Sequence, residues 1–196
     1  MRLRFLASLF ALVVGAATAR AQSGVYAMFD AQQFTRSGLL AAPVGGQSNT
    51  ESPWLYGTTF GAFYTVHRIP KLGELHTGPL AIGFDARGTI VRTNTQLNRD
   101  DGILSLRVTT KNPFARVKPY VQGGAGVGHT KVPGQLSFTN NWSYLFAVGA
   151  DRTIHKHLDW RVVEVSGGFL GSYTSGSNVN NSNRLLNLAT GLVATF

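Results

Sequence analysis

Seven ionisable residues, Asp30, Asp85, Arg87, Arg107, Asp151, Arg161 and Glu164, sit in stretches where apolar residues recur at every second position. Carboxylates and guanidinium groups so placed support three chemistries: a charged conduction path, a catalytic carboxylate pair, or a mutual ion-pair network that fills an enclosed space. Four acids against three bases is near balance, and buried charge is tolerated only when paired. The expectation is therefore an interior network, with a gated polar path and catalysis as its alternatives.

Other patterns approach chemistry without completing it. Gly123 to Thr130 (GGAGVGHT) looks like a phosphate-binding loop, but His129 stands where a lysine must reach the phosphates, and a strand continues where a helix should start. Gly124, Gly126 and Gly128 suit the inner wall of a narrow sheet, where they leave room for large side chains opposite. His155 and His157 flank Lys156, which offers two ligands beside a repelling cation, whereas a structural zinc site takes four. A lipid-modifying activity would need a nucleophile with an oriented base. His129 with a loop serine such as Ser137 comes nearest, and no carboxylate is placed to orient the imidazole. No catalytic residue, metal or cofactor is assigned.

The elements that must position the charges are strands. Alternation with period 2 runs through eight segments: 24–34, 53–67, 76–90, 102–110, 118–130, 142–154, 158–171 and 184–196. Leu80, Ile82, Phe84 and Ala86 take one face while Ala81, Gly83, Asp85 and Arg87 take the other; Leu104, Leu106 and Val108 likewise oppose Ser105, Arg107 and Thr109. Phe146, Val148 and Ala150 oppose Ala147, Gly149 and Asp151. Charges fall opposite the aliphatic face, as lipid outside would require, since a charge at mid-depth there costs about 2–4 kcal/mol. Arg161 and Glu164 are three apart, so a regular strand cannot turn both inward. A β-bulge would do so; otherwise one of them occupies the interfacial zone.

The connections alternate in character. Segments 35–52, 91–101, 131–141 and 172–183 are rich in Gly, Ser, Asn and Thr and are expected on the external side. Segments 68–75, 111–117 and 155–157 are shorter and basic and are expected on the periplasmic side. Aromatic residues gather near strand ends, where rings favour a membrane interface: Trp54, Tyr56, Tyr64, Tyr120, Trp142, Tyr144, Trp160 and Phe196.

The N-terminus reads as a secretory signal. Arg2 and Arg4 precede an apolar run from Phe5 to Ala17 that is too short to span a bilayer, and Ala19-Arg20-Ala21 forms a cleavage site. Residues 1–21 are expected to be removed, leaving 22–196 as one domain with 15 basic and 9 acidic residues. Scattered basic residues on an exported chain suit anionic lipid head groups or lipopolysaccharide phosphates better than nucleic acid. Cysteine is absent, so stability must come from sheet closure and packing.

Together these features resemble the small bacterial outer-membrane β-barrels of the OmpA transmembrane domain and OmpX type. The resemblance rests on PYVQGGAGVG (Pro119 to Gly128), on AVGADRTIHKHLDWRVVEV (Ala147 to Val165), and on the two ends of the chain. Gly191, Ala194 and Phe196 match the family's C-terminal insertion signal, with Ala194 the weak member. The resemblance implies an eight-stranded antiparallel up-and-down barrel, monomeric, inserted by the barrel-assembly machinery, and structural or interactive in role. A small channel or apolar-ligand barrel is the alternative, and a lipid A-modifying enzyme the second.

Overall fold

The computed structural model describes residues 23–35, 54–69, 79–92, 98–110, 116–131, 139–172 and 183–196. Met1 to Ala21, Ser137 and most of the connecting segments lie outside them. Eight strands follow in chain order: β1 (Ser23–Thr35), β2 (Trp54–Ile69), β3 (Leu80–Val91), β4 (Asn98–Thr110), β5 (Val117–Lys131), β6 (Thr139–His155), β7 (Leu158–Ser172) and β8 (Asn183–Thr195). Each pairs antiparallel with its sequence neighbours, and β8 returns to β1 through Gly24↔Thr195 to Thr35↔Arg184, which closes the barrel. Closure leaves no edge to template pairing with another chain.

Each strand carries two environments. On β6, Phe146 is 62 % exposed on the outside while its neighbour Ala147 is fully buried inside. On β8, Leu186, Leu188 and Leu192 face out, and Leu185, Asn187, Ala189 and Val193 face in. The interior of an eight-stranded barrel is just wide enough for side chains to fill. Here the filling is mostly polar.

Two strands overshoot their expected starts. β4 begins at Asn98 rather than Gly102, and β6 at Thr139 rather than Trp142, so the segments that join β3 to β4 and β5 to β6 shrink to 92–97 and 132–138. The alternation that defines a strand continues there in polar residues, with Arg99 and Asp101 buried inside and Asp100 between them. An alternation without an apolar face gives no strand signal in the sequence.

β7 contains the bulge that its sequence needs. Opposite β6, Ala150 pairs Val163 and Asp151 pairs Arg161; opposite β8, Gly191 pairs Arg161 and Ala189 pairs Glu164. Val162 is the extra residue. It resets the alternation, so Arg161 and Glu164 both point into the lumen and both are fully buried.

Candidate functional site: the charged column in the lumen

The seven residues singled out from sequence all lie inside the barrel. Six of them, on β3, β4, β6 and β7, meet as three guanidinium groups against three carboxylates. Arg87 binds Glu164 with both terminal nitrogens, at 2.7 and 3.2 Å. Arg161 grips Asp151 in the same two-pronged way, at 2.8 and 3.2 Å, and reaches Glu164 at 3.4 Å. Arg107 donates to the shared Asp151 at 2.7 Å and lies 3.8 Å from Asp85, which also accepts from Arg87 at 3.3 Å. Paired forks of this kind are the strong class of ion pair, because two parallel bonds fix both geometry and charge.

Aromatic rings separate the guanidinium planes. Arg107 lies between Phe63 and Tyr120, at 4.5 and 3.9 Å from the ring centroids, and Arg161 between Tyr120 and Tyr26, at 4.7 and 4.4 Å. Arg87 stands 5.8 Å from the centroid of the Tyr26 ring. Phe63, Arg107, Tyr120, Arg161, Tyr26 and Arg87 are thus linked ring to cation in one series of contacts within the lumen. A desolvated cation over a ring is worth about 2 kcal/mol or more. The phenols add bonds of their own: Tyr26 donates to Asp85 at 2.8 Å and Tyr120 to Glu164 at 2.6 Å.

Tyr120 is thus a correction. Its place near the start of β5 pointed to the membrane interface, yet it is 3 % exposed and belongs to the column. Tyr120 shares the parity of Gln122 and Gly124 on the inner face, and parity outranks proximity to a strand end. Trp54, Tyr56, Trp142 and Tyr144 are exposed near the rim opposite the termini, and Tyr64, Trp160 and Phe196 near the rim that carries them.

The glycines divide by task. An added Cβ at Gly149 would strike the Tyr120 ring at 2.5 Å, so this glycine makes room for a large interior side chain. At Gly126 it would strike the backbone of Gly102 and Ile103 on the next strand. That position on β5 therefore serves close approach of the two strands and not, as expected, a bulky residue opposite.

Asp30 stands apart from the six. It accepts from the Thr59 hydroxyl, which in turn contacts Thr89 at 2.8 Å. In the lumen, Ser105 Oγ, Ser166 Oγ, both side-chain polar atoms of Gln122 and Oδ1 of Asn187 have no hydrogen-bond partner among the described residues, and buried groups of this kind are ordinarily satisfied by ordered water. Toward the rim opposite the termini, Arg99 pairs with Asp101 and donates to Gln32 at 3.1 Å, beside an apolar layer that includes Ile103 and Leu145. At the other mouth Lys118 holds Asp159 at 2.6 Å. These pairs were not singled out from sequence, although Asp101 shares the parity of Arg107, and Asp159 that of Arg161.

Outside the lumen, His129 is exposed and its Nδ1 lies 2.6 Å from Oδ1 of Asn140. That orienting group is neutral. His155 and His157 are exposed at the β6–β7 turn, with His157 Nδ1 at 3.1 Å from the Thr195 carbonyl.

A closed barrel of eight antiparallel strands, apolar outside and packed with paired charge inside, has the strand number and the two-faced pattern of the smallest barrels that sit in lipid. Its fold is that of the small outer-membrane barrels of the OmpA transmembrane domain and OmpX type. Neisserial surface protein A superimposes with a TM-score of 0.53 at 14 % identity, over 89 % of this chain and 97 % of that one. The Yersinia pestis attachment invasion locus protein Ail, in complex with the heparin analogue sucrose octasulfate, gives 0.50 at 13 % identity, over 91 % and 100 %. The outer-membrane enzyme PagL gives 0.45 at 15 % identity, over 87 % and 98 %. At such identities the likeness is one of fold. No protein-family model matches the sequence, and no curated protein does.

Proposed function

We propose that this chain is an integral outer-membrane barrel that anchors its external loops and does no catalysis, the loops presenting a polar surface to solvent, lipopolysaccharide or another cell. The observation that supports this most directly is the column: Arg87, Arg107, Arg161 and their carboxylates cross the lumen with side chains at most 5 % exposed. A lumen so filled is a support and not a path. The exterior of large apolar side chains supports residence in lipid, with outer-membrane lipids and lipopolysaccharide around a monomer that the barrel-assembly machinery inserts.

Planar-bilayer recording tests the reading. The protein should insert, migrate differently on gels before and after boiling, and pass no sustained current. Steady conductance would replace the anchor by a channel. A changed lipid A acyl pattern by mass spectrometry, in cells expressing the protein, would replace it by an enzyme.

A further inference from the structure

Charge in the lumen is paired with one exception. The three guanidinium groups of the column have three carboxylates of their own, Arg99 holds Asp101, and Lys118 holds Asp159. That leaves Asp30, fully buried on β1 and with no cation paired to it among the described residues. Thr59 and Asn187 each hydrogen-bond its carboxylate, and neither carries charge. A carboxylate taken out of water keeps its charge only where a positive partner replaces the lost solvation.

The oxygens beside that carboxylate are those a metal cation takes. Asp30 Oδ1 has no hydrogen-bond partner among the described residues, and neither has Oδ1 of Asn187, whose side chain already touches Asp30. Ser166 stands directly opposite Asn187 across the β7–β8 pair, is 1 % exposed, and has its Oγ unpartnered too. Both residues face the lumen. On the other side Thr89 adds a hydroxyl, 2.8 Å from that of Thr59. Ala189 and Ala147, the cross-strand partners of Asp30 and Ser166, bring only methyl groups into this layer.

Carboxylate, amide and hydroxyl oxygens suit hard metal ions. A single uncompensated negative charge selects a monovalent ion, because a divalent one would leave the lumen with a positive charge in excess. Water would bond the orphan oxygens and leave the charge unmet. We infer that Asp30, Asn187 and Ser166 hold one sodium ion inside the barrel, with ordered water completing its shell. The site lies away from the external loops and adds a ligand to a lumen whose proposed task is support.

Urea unfolding from phosphatidylcholine vesicles at pH 8, with NaCl exchanged for N-methylglucamine chloride at constant ionic strength, tests it. An ion held by the folded chain alone shifts folding by mass action, so each tenfold rise in sodium above the dissociation constant should raise the wild-type folding constant about tenfold. Asp30→Asn keeps the shape and removes the charge. Its folding constant should be the same at every sodium concentration and no lower than that of wild type in sodium-free buffer. Ser166→Ala should move the dependence to higher sodium, and it carries the test should Asp30→Asn fail to fold. A wild-type folding constant equal in the two salts would overturn the site, as would a sodium dependence that Asp30→Asn or Ser166→Ala retains unchanged.

Discussion

Along β7, Trp160, Val163, Val165 and Phe169 face outward, whereas Asp159, Arg161 and Glu164 face inward and each is held by at least one side chain of another strand. Outside, an apolar side chain is asked only to be apolar. Inside, Glu164 has Arg87 from β3 and Tyr120 from β5, and a change in either leaves a buried carboxylate short of a partner. The inner face is thus specified by partners and the outer face by solvent, so substitutions of similar size should cost very different amounts on the two sides.

The largest effect should come from Arg161→Leu, which leaves Asp151 and Glu164 buried without their shared cation. Urea unfolding from lipid vesicles should show a loss of about 3–5 kcal/mol, and adding Asp151→Asn should recover part of it. A loss below about 1 kcal/mol would mean that the inner face is no more coupled than the outer. Next comes the strongest offence available outside, Phe146→Arg at the middle of β6, expected to cost about 2–4 kcal/mol in the same assay. If it were silent, that surface would not face hydrocarbon. Tyr120→Phe sharpens the contrast without changing shape: it deletes the hydroxyl that donates to Glu164 and should cost about 1.5–3 kcal/mol. At the small end, Leu188→Ile on the outward face of β8 should stay within about 0.5 kcal/mol.

Which residues face inward was legible in the sequence because period 2 is a local property, and Asp30, Asp85, Arg107 and Asp151 could be placed from their immediate neighbours. Arg161 and Glu164 demanded a bulge or a split, and pairing with β6 and β8 decided between them. What local alternation cannot carry is partnership. Arg87 and Glu164 are 77 positions apart, and their bond depends on how the three intervening strands coil around the lumen. Tyr120 lies near a strand end, which suggests the interface, but its parity with Gln122 sends it inward. The adjacency of Val25, Ala62 and Ala86 was equally hidden, since small outward residues on three strands become neighbours only once the register is set.

The β1–β8 seam also has a consequence in time. Every other pairing in the barrel joins strands that are consecutive along the chain, whereas Gly24 meets Thr195 from the opposite end of the described sequence. Loop-closure entropy makes such a contact the slowest to form, and hairpins can assemble well before it does. Between those two moments the polypeptide carries two unsatisfied strand borders and an apolar exterior together. The seam therefore sets how long the nascent molecule must be shielded, and mutations that delay its formation should show as aggregation during delivery even where the finished barrel is as stable as before.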